Sequence, residues 1–142
     1  MNRELEKRLA EEFEFMRRGP LSEDGIDNLY NAFGIETGDG WYQLLYDMCR
    51  EIAIVFETAE KPVTIEMVQI KEKYGTLRVY YNLEGENDVA RKISDITQKY
   101  EDLSETVCEE CGREGTLRTD LPWIQTLCDT CYGRKQFGSK LS

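Results

Sequence analysis

The chain has 142 residues, 28 acidic against 18 basic side chains, a formal net charge of −10 and no histidine. That length suits one domain, or one domain with a small appendage. The net charge repels polyanions at long range and argues against a general nucleic-acid or anionic-membrane coat protein. The lack of histidine excludes Ser-His-Asp and Cys-His catalysis, HExxH zinc proteases and histidine proton shuttles.

The run from Met1 to Arg8 is charged and has no apolar centre, so it does not read as a signal peptide. No stretch approaches the roughly 18 apolar residues of a membrane span. The five cysteines are an odd number, and four fall in two CxxC pairs. That arrangement points to metal ligation in a reducing cytoplasm, not to a disulfide framework.

Residues 3–17 are expected to form a helix, because Leu5, Leu9, Phe13 and Met16 recur at helical spacing before Gly19-Pro20 ends the run. Residues 19–40 carry five of the eleven glycines and read as a long loop, with Leu29, Tyr30 and Phe33 anchoring at most a helical turn. A second helix is expected from Trp41 to Glu57, with the stripe Trp41, Leu44, Leu45, Met48, Ile52 and Val55. Asp39 or Gly40 would cap it.

After Lys61-Pro62 the stretch Val63 to Asn82 is β-rich and turns at Tyr74-Gly75. A two-residue turn pairs Lys73 with Thr76, Lys71 with Arg78 and Gln69 with Tyr80. Val68, Ile70, Leu77, Val79 and Tyr81 then form the core face. Ile65 and Met67 have the wrong parity, which a bulge near Met67-Val68 would repair. A third helix is expected over Asp88 to Leu103, capped by Asn87, with the stripe Val89, Ile93, Ile96, Tyr100 and Leu103.

From Ser104 the composition changes. Cys108-Glu109-Glu110-Cys111 is followed, sixteen residues later, by Cys128-Asp129-Thr130-Cys131. This C-x2-C-x16-C-x2-C spacing is that of a four-cysteine zinc site. Two CxxC knuckles offer a closed tetrahedron of thiolates, which suits structural Zn²⁺ and leaves no open catalytic position. Two disulfides or free thiols are the alternative. Zinc binding worth roughly 10–16 kcal/mol in finger peptides would dominate the folding of so small a segment. A short hairpin around Asp120-Leu121-Pro122 and a helix opened by the second CxxC would make it a treble-clef or ribbon-like finger. The expected fold class is therefore α+β: residues 1–103 form helices with a small antiparallel hairpin or sheet, and residues 104–142 form a zinc finger packed on it.

Three motifs stand together: Gly40-Trp41…Leu44-Leu45…Met48-Cys49…Ile52, then Lys71-Glu72-Lys73-Tyr74-Gly75-Thr76-Leu77-Arg78-Val79-Tyr80-Tyr81, then Cys108 through Cys131. In this the chain resembles a family of small proteins of tailed phages and prophages, over roughly residues 38–132. Many relatives carry histidine near the last ligand position, where this chain has Cys131, an exchange that zinc tolerates. The resemblance implies a phage accessory protein in the host cytoplasm and implies no chemistry.

Lys71, Lys73 and Arg78 cluster on one hairpin face with Tyr74 and Tyr80 beside them. They could hold a phosphate or nucleotide with a tyrosine stacked on a base. The alternatives are local ion pairing or protection of an edge strand by lysine. Gly38-Asp39-Gly40 reads as a loop and cap, Trp41 as a core aromatic, and Cys49 as a buried, inert thiol. Arg134, Lys135 and Lys140 form a basic tail, and the acidic first helix reads as a solvated face or a mimic of DNA. The leading reading is a non-enzymatic accessory protein that binds a host protein, with defence interference as its setting, or sequesters a small anionic ligand. The alternative is a nucleic-acid- or nucleotide-binding module built on the hairpin face and the finger.

Overall fold

A computed structural model describes residues 1–21, 28–85 and 87–141. Among them the fold is α+β, with helices α1 (Arg3–Glu12), α2 (Leu29–Phe33), α3 (Tyr42–Thr58), α4 (Asp88–Leu103) and α5 (Asp129–Leu141). Strands β1 (Ile35–Glu36), β2 (Glu66–Lys73) and β3 (Thr76–Asn82) form one sheet, and β4 (Thr116–Arg118) and β5 (Gln125–Leu127) form a second. No helix among the described residues is long and apolar enough to cross a membrane.

The first helix is shorter than its apolar spacing predicts. Asn2 caps it through a side-chain bond to the Leu5 N–H, but Phe13 is extended and a 3-10 turn follows at Glu14–Met16. Leu9, Phe13 and Met16 all enter the core, where Phe13 meets Tyr46 edge-on at 5.5 Å.

Residues 22–27 of the expected 19–40 loop lie outside the described residues. The described remainder holds more regular structure than its glycines predict. Asn28 caps α2, whose Tyr30 is buried, and Gly34 leaves the helix at φ +67. The chain then runs beside β2 in parallel, with Ile35 opposite Ile70 and Glu36 opposite Lys71. A two-residue strand has too little alternation to be read from sequence.

The stripe of α3 forms the centre of the core: Leu45, Met48, Cys49 and Ile52 are fully buried. Asp39 does not cap it. A 3-10 turn at Asp39–Trp41 leads into the helix, and the Asp39 carboxylate accepts from the Asn2 backbone N–H at 2.7 Å.

The β2–β3 hairpin has the expected register, with Lys73 opposite Thr76, Lys71 opposite Arg78 and Gln69 opposite Tyr80. The register shifts between Met67 and Gln69, so Ile65 and Met67 join Ile70, Leu77 and Val79 in the core. Val68 and Tyr81 are only half-buried, because the bulge makes Val68 the extra residue. At the turn Tyr74 and Gly75 both have positive φ, 54° and 82°, the type I′ pattern that follows strand twist.

Asn87 caps α4 by accepting from the Ala90 N–H at 3.0 Å. Val89, Ile93 and Tyr100 face inward, but Leu103 is 42% exposed. The core side of that last turn is taken by Ser104, where a 3-10 turn (Ser104–Thr106) redirects the chain. Helices α3 and α4 are clamped by Glu51, which accepts from Lys99 Nζ at 2.7 Å and from the Tyr100 hydroxyl.

The outer edge of β3 gains partners from α4 and its end. The Val79 N–H donates to Glu101 Oε2 at 2.9 Å, and the Leu77 N–H donates to Ser104 Oγ at 2.9 Å. Ser104 is fully buried. Ser104→Ala therefore leaves a buried N–H without an acceptor, at a cost of roughly 1–3 kcal/mol. Thermal denaturation should show Tm lowered by about 3–10 °C, while Glu105→Ala on the exposed side leaves it unchanged.

Candidate metal centre and hairpin face

The first CxxC is folded by its own backbone. The Cys108 N–H donates to the Arg113 carbonyl at 2.7 Å, the Gly112 N–H donates to the Cys108 carbonyl at 2.9 Å, and Gly112 takes φ +82. Any other residue would be strained at that φ. The chain then forms the β4–β5 ribbon, with Leu117 opposite Thr126. Cys128 directly follows β5, and Cys131 lies in the first turn of α5. Knuckle, ribbon and helix in that order is the treble-clef arrangement.

The four sulfurs of Cys108, Cys111, Cys128 and Cys131 lie within 4.8 Å of one another, with Cys111 and Cys128 at 3.5 Å. A tetrahedron with metal–sulfur bonds of about 2.3 Å has sulfur–sulfur edges of about 3.8 Å. The spacing fits a four-thiolate metal site and is far too long for disulfides. Cys108, Cys128 and Cys131 are buried and Cys111 is exposed. The Cys131 backbone N–H donates to Cys128 Sγ at 3.4 Å and pulls that thiol down to about 7. Burial pushes the Cys131 thiol up, so an incoming metal must displace its proton. Arg118 ties the ribbon to α5: it donates to the Leu127 carbonyl, pairs with Asp129 at 2.8 Å and stacks on Tyr132 at 4.2 Å.

The finger is seated on the rest of the chain by close backbone contacts. The Gly40 N–H donates to the Glu109 carbonyl at 2.7 Å. A Cβ on Gly40 would lie 2.2 Å from the Cys108 carbonyl oxygen. Trp41, fully buried as a core aromatic, donates from Nε1 to the Val107 carbonyl at 2.8 Å. On the other side the hairpin tip enters the finger: a Cβ on Gly75 would meet Leu117 at 2.5 Å, and buried Thr126 Oγ1 donates to the Gly75 carbonyl at 2.7 Å. Gly38-Asp39-Gly40 is thus neither an anion loop nor a cap. It is the seat of the first knuckle.

Glu109, between the first two ligands, is 8% exposed. Its Oε2 accepts from the Gly38 N–H at 2.9 Å, while Oε1 is buried without a partner. Burial raises its pKa, against the pull of the Gly38 N–H. Folding therefore favours its protonated form, and this group opposes stability as pH rises through its range.

On the hairpin, Lys71 and Arg78 sit opposite each other, half-buried, on the face turned away from the core. Lys73, Tyr74 and Tyr80 are exposed, with the Lys73 ammonium 5.6 Å from the centre of the Tyr74 ring. Among the described residues none of these three cations has an ion-pair partner. Arg78 Nε is buried with no hydrogen-bond partner. Glu72 points to the other face, where it accepts from the Gly75 N–H at 2.7 Å. Lys71 belongs to the central strand, not to an edge. Local ion pairing accounts for neither Lys71 nor Arg78 among the described residues, and edge protection does not account for Lys71. Tyr74 holds a left-handed conformation that costs a residue with a side chain roughly 1–2 kcal/mol.

The remaining candidates are occupied or isolated. Cys49 is fully buried, and desolvation pushes its thiol far up, so it is inert. Lys135 pairs with Glu110 at 3.0 Å, Arg134 is exposed, and the Lys140 side chain lies outside the described residues. In the acidic first helix Glu6 accepts from the Ile35 N–H and Glu12 from the Tyr46 hydroxyl, so part of that face is used internally. Sequence reasoning missed the roles of Glu109 and Thr126. Glu109 and Thr126 act through contacts distant in sequence, and no local pattern marks either. No protein-family profile, curated protein or solved structure matches the chain.

Cys108→Ser is expected to lose the metal and expose residues 104–142 to protease, whereas Cys49→Ala keeps full metal content. Metal analysis with limited proteolysis separates the two. Gly40→Ala overpacks the seat at roughly 1–3 kcal/mol or more. It should lower Tm by about 3–10 °C with the four ligands untouched.

Proposed function

We propose that the chain is a non-enzymatic binding protein in which a structural Zn²⁺, held by Cys108, Cys111, Cys128 and Cys131, fixes the finger against the hairpin. Four thiolates complete a tetrahedron and leave no position for a substrate. Tetrahedral sulfur donors suit zinc or iron, and the treble-clef order favours zinc. The open hairpin face is the binding surface, and its occupant is an anionic ligand. The observation that carries this reading is the set Lys71, Lys73 and Arg78, without carboxylate partners among the described residues in a chain of net charge −10. The resemblance to small phage proteins adds the setting: an accessory protein in a host cell, acting by sequestering the ligand or by blocking a host protein.

Native mass spectrometry of the freshly purified chain tests this. We expect one zinc per chain and retained anionic mass that Lys71→Ala with Arg78→Ala removes. A red, iron-loaded protein, or one with no zinc after gentle preparation, would overturn the metal assignment. Anionic mass unchanged in the double variant would move the ligand off the hairpin.

A further inference from the structure

We propose that the ligand of the hairpin face is single-stranded nucleic acid, with phosphates on Lys71, Arg78 and Lys73 and bases stacked on Tyr80 and Tyr74. This rests on the reading of that face as an anion site and names its occupant.

Three observations carry it. The cations lie between two exposed tyrosines, Tyr80 at 45% and Tyr74 at 67% exposure. Tyr80 lies level with Gln69, five residues from Tyr74, so at about 3.3 Å per residue the two are about 16 Å apart. One nucleotide does not reach both rings, whereas a strand of about four nucleotides does. Cations flanked by exposed aromatic rings suit sequence-tolerant binding of single strands, because every base has a face to stack.

The second observation is the turn itself. Its first position has positive φ, where asparagine or glycine serves best, yet it carries an exposed tyrosine. The ring's described contact is the neighbouring Lys73 ammonium, so it contributes little to the fold there. A local rule broken at the surface without structural gain marks function. The third observation is Arg78, which sits opposite Lys71 on that face and has no ion-pair partner among the described residues. A phosphate oxygen is an acceptor suited to a guanidinium.

The acidic total does not oppose this. Charges beyond a Debye length of about 8 Å are largely screened at physiological salt. The carboxylate beside the patch on β1 is Glu36, which accepts from Gln69 at 3.4 Å. Net repulsion slows encounter, and the local patch sets contact.

The experiment is fluorescence anisotropy of a labelled thymidine 12-mer with the zinc-loaded full chain. Competitors are inorganic polyphosphate of equal charge and a duplex of equal length. Three phosphate contacts predict a salt slope of about −2, or roughly a 20-fold loss from about 50 to about 200 mM salt. Lys71→Ala with Arg78→Ala should abolish binding. Tyr80→Ala and Tyr74→Asn, the latter suited to the turn, should each weaken it about 5- to 150-fold, with zinc content unchanged and Tm not lowered. Polyphosphate competing equally, with both tyrosine variants silent, would overturn the nucleic-acid assignment and leave an anion site. Tighter binding of the duplex would overturn the single-strand assignment. Binding of neither oligonucleotide nor polyphosphate would overturn both the inference and the anion site beneath it.

Discussion

Gly40 approaches the carbonyl of Cys108 so closely that no side chain fits between them, and the rest of the architecture follows from that approach. The Gly40 N–H is spent on Glu109, and the next residue, Trp41, fills the core while its indole N–H holds Val107. One short segment thus joins the start of the central helix to the first cysteine knuckle. The second attachment is the hairpin tip, where Gly75 has room for no side chain and its carbonyl is held by a buried threonine hydroxyl. The finger is therefore gripped by two glycines from different elements.

The two attachments bear on stability in different ways. The residues around α3, α4 and the inner sheet face build an apolar core. The finger's own apolar cluster is small: Cys108, Leu127, Cys128 and Cys131, with half-buried Leu121 and Tyr132 against them. A segment that small depends on metal ligation for its fold. The close backbone contacts then transmit that order to the hairpin tip.

The hairpin has two faces with opposite tasks. The bulge at Met67–Gln69 turns the upstream strand so that Met67 and Ile65 join the core. On the other face alternation leaves Lys71 and Lys73 on β2 with Arg78 opposite Lys71, none of them in an ion pair among the described residues, while Glu36 beside Lys71 on β1 accepts from Gln69. Glu72 caps the turn from the core side, Glu101 holds the β3 edge and Glu51 clamps the helices. The strongly acidic composition hides a local patch of the opposite sign.

Much of this was legible in the amino-acid order. The register of β2 and β3, the bulge, the Asn87 cap and the ligand set each rest on local periodicity or spacing, and a short stretch of chain suffices to encode them. The length of α1, the β1 strand, the exposure of Leu103 and the use of Gly38-Asp39-Gly40 as a seat were not legible. Each depends on a partner distant in the chain: Tyr46 for Phe13, Ile70 for Ile35, Ser104 for the inner position beyond α4, and Cys108 for Gly40. By itself the sequence determined an α+β chain with four cysteines spaced for one metal. Tertiary structure decided how close two backbones come, and so where the finger sits and which charges stay unpaired, because contact and burial arise only when distant segments meet.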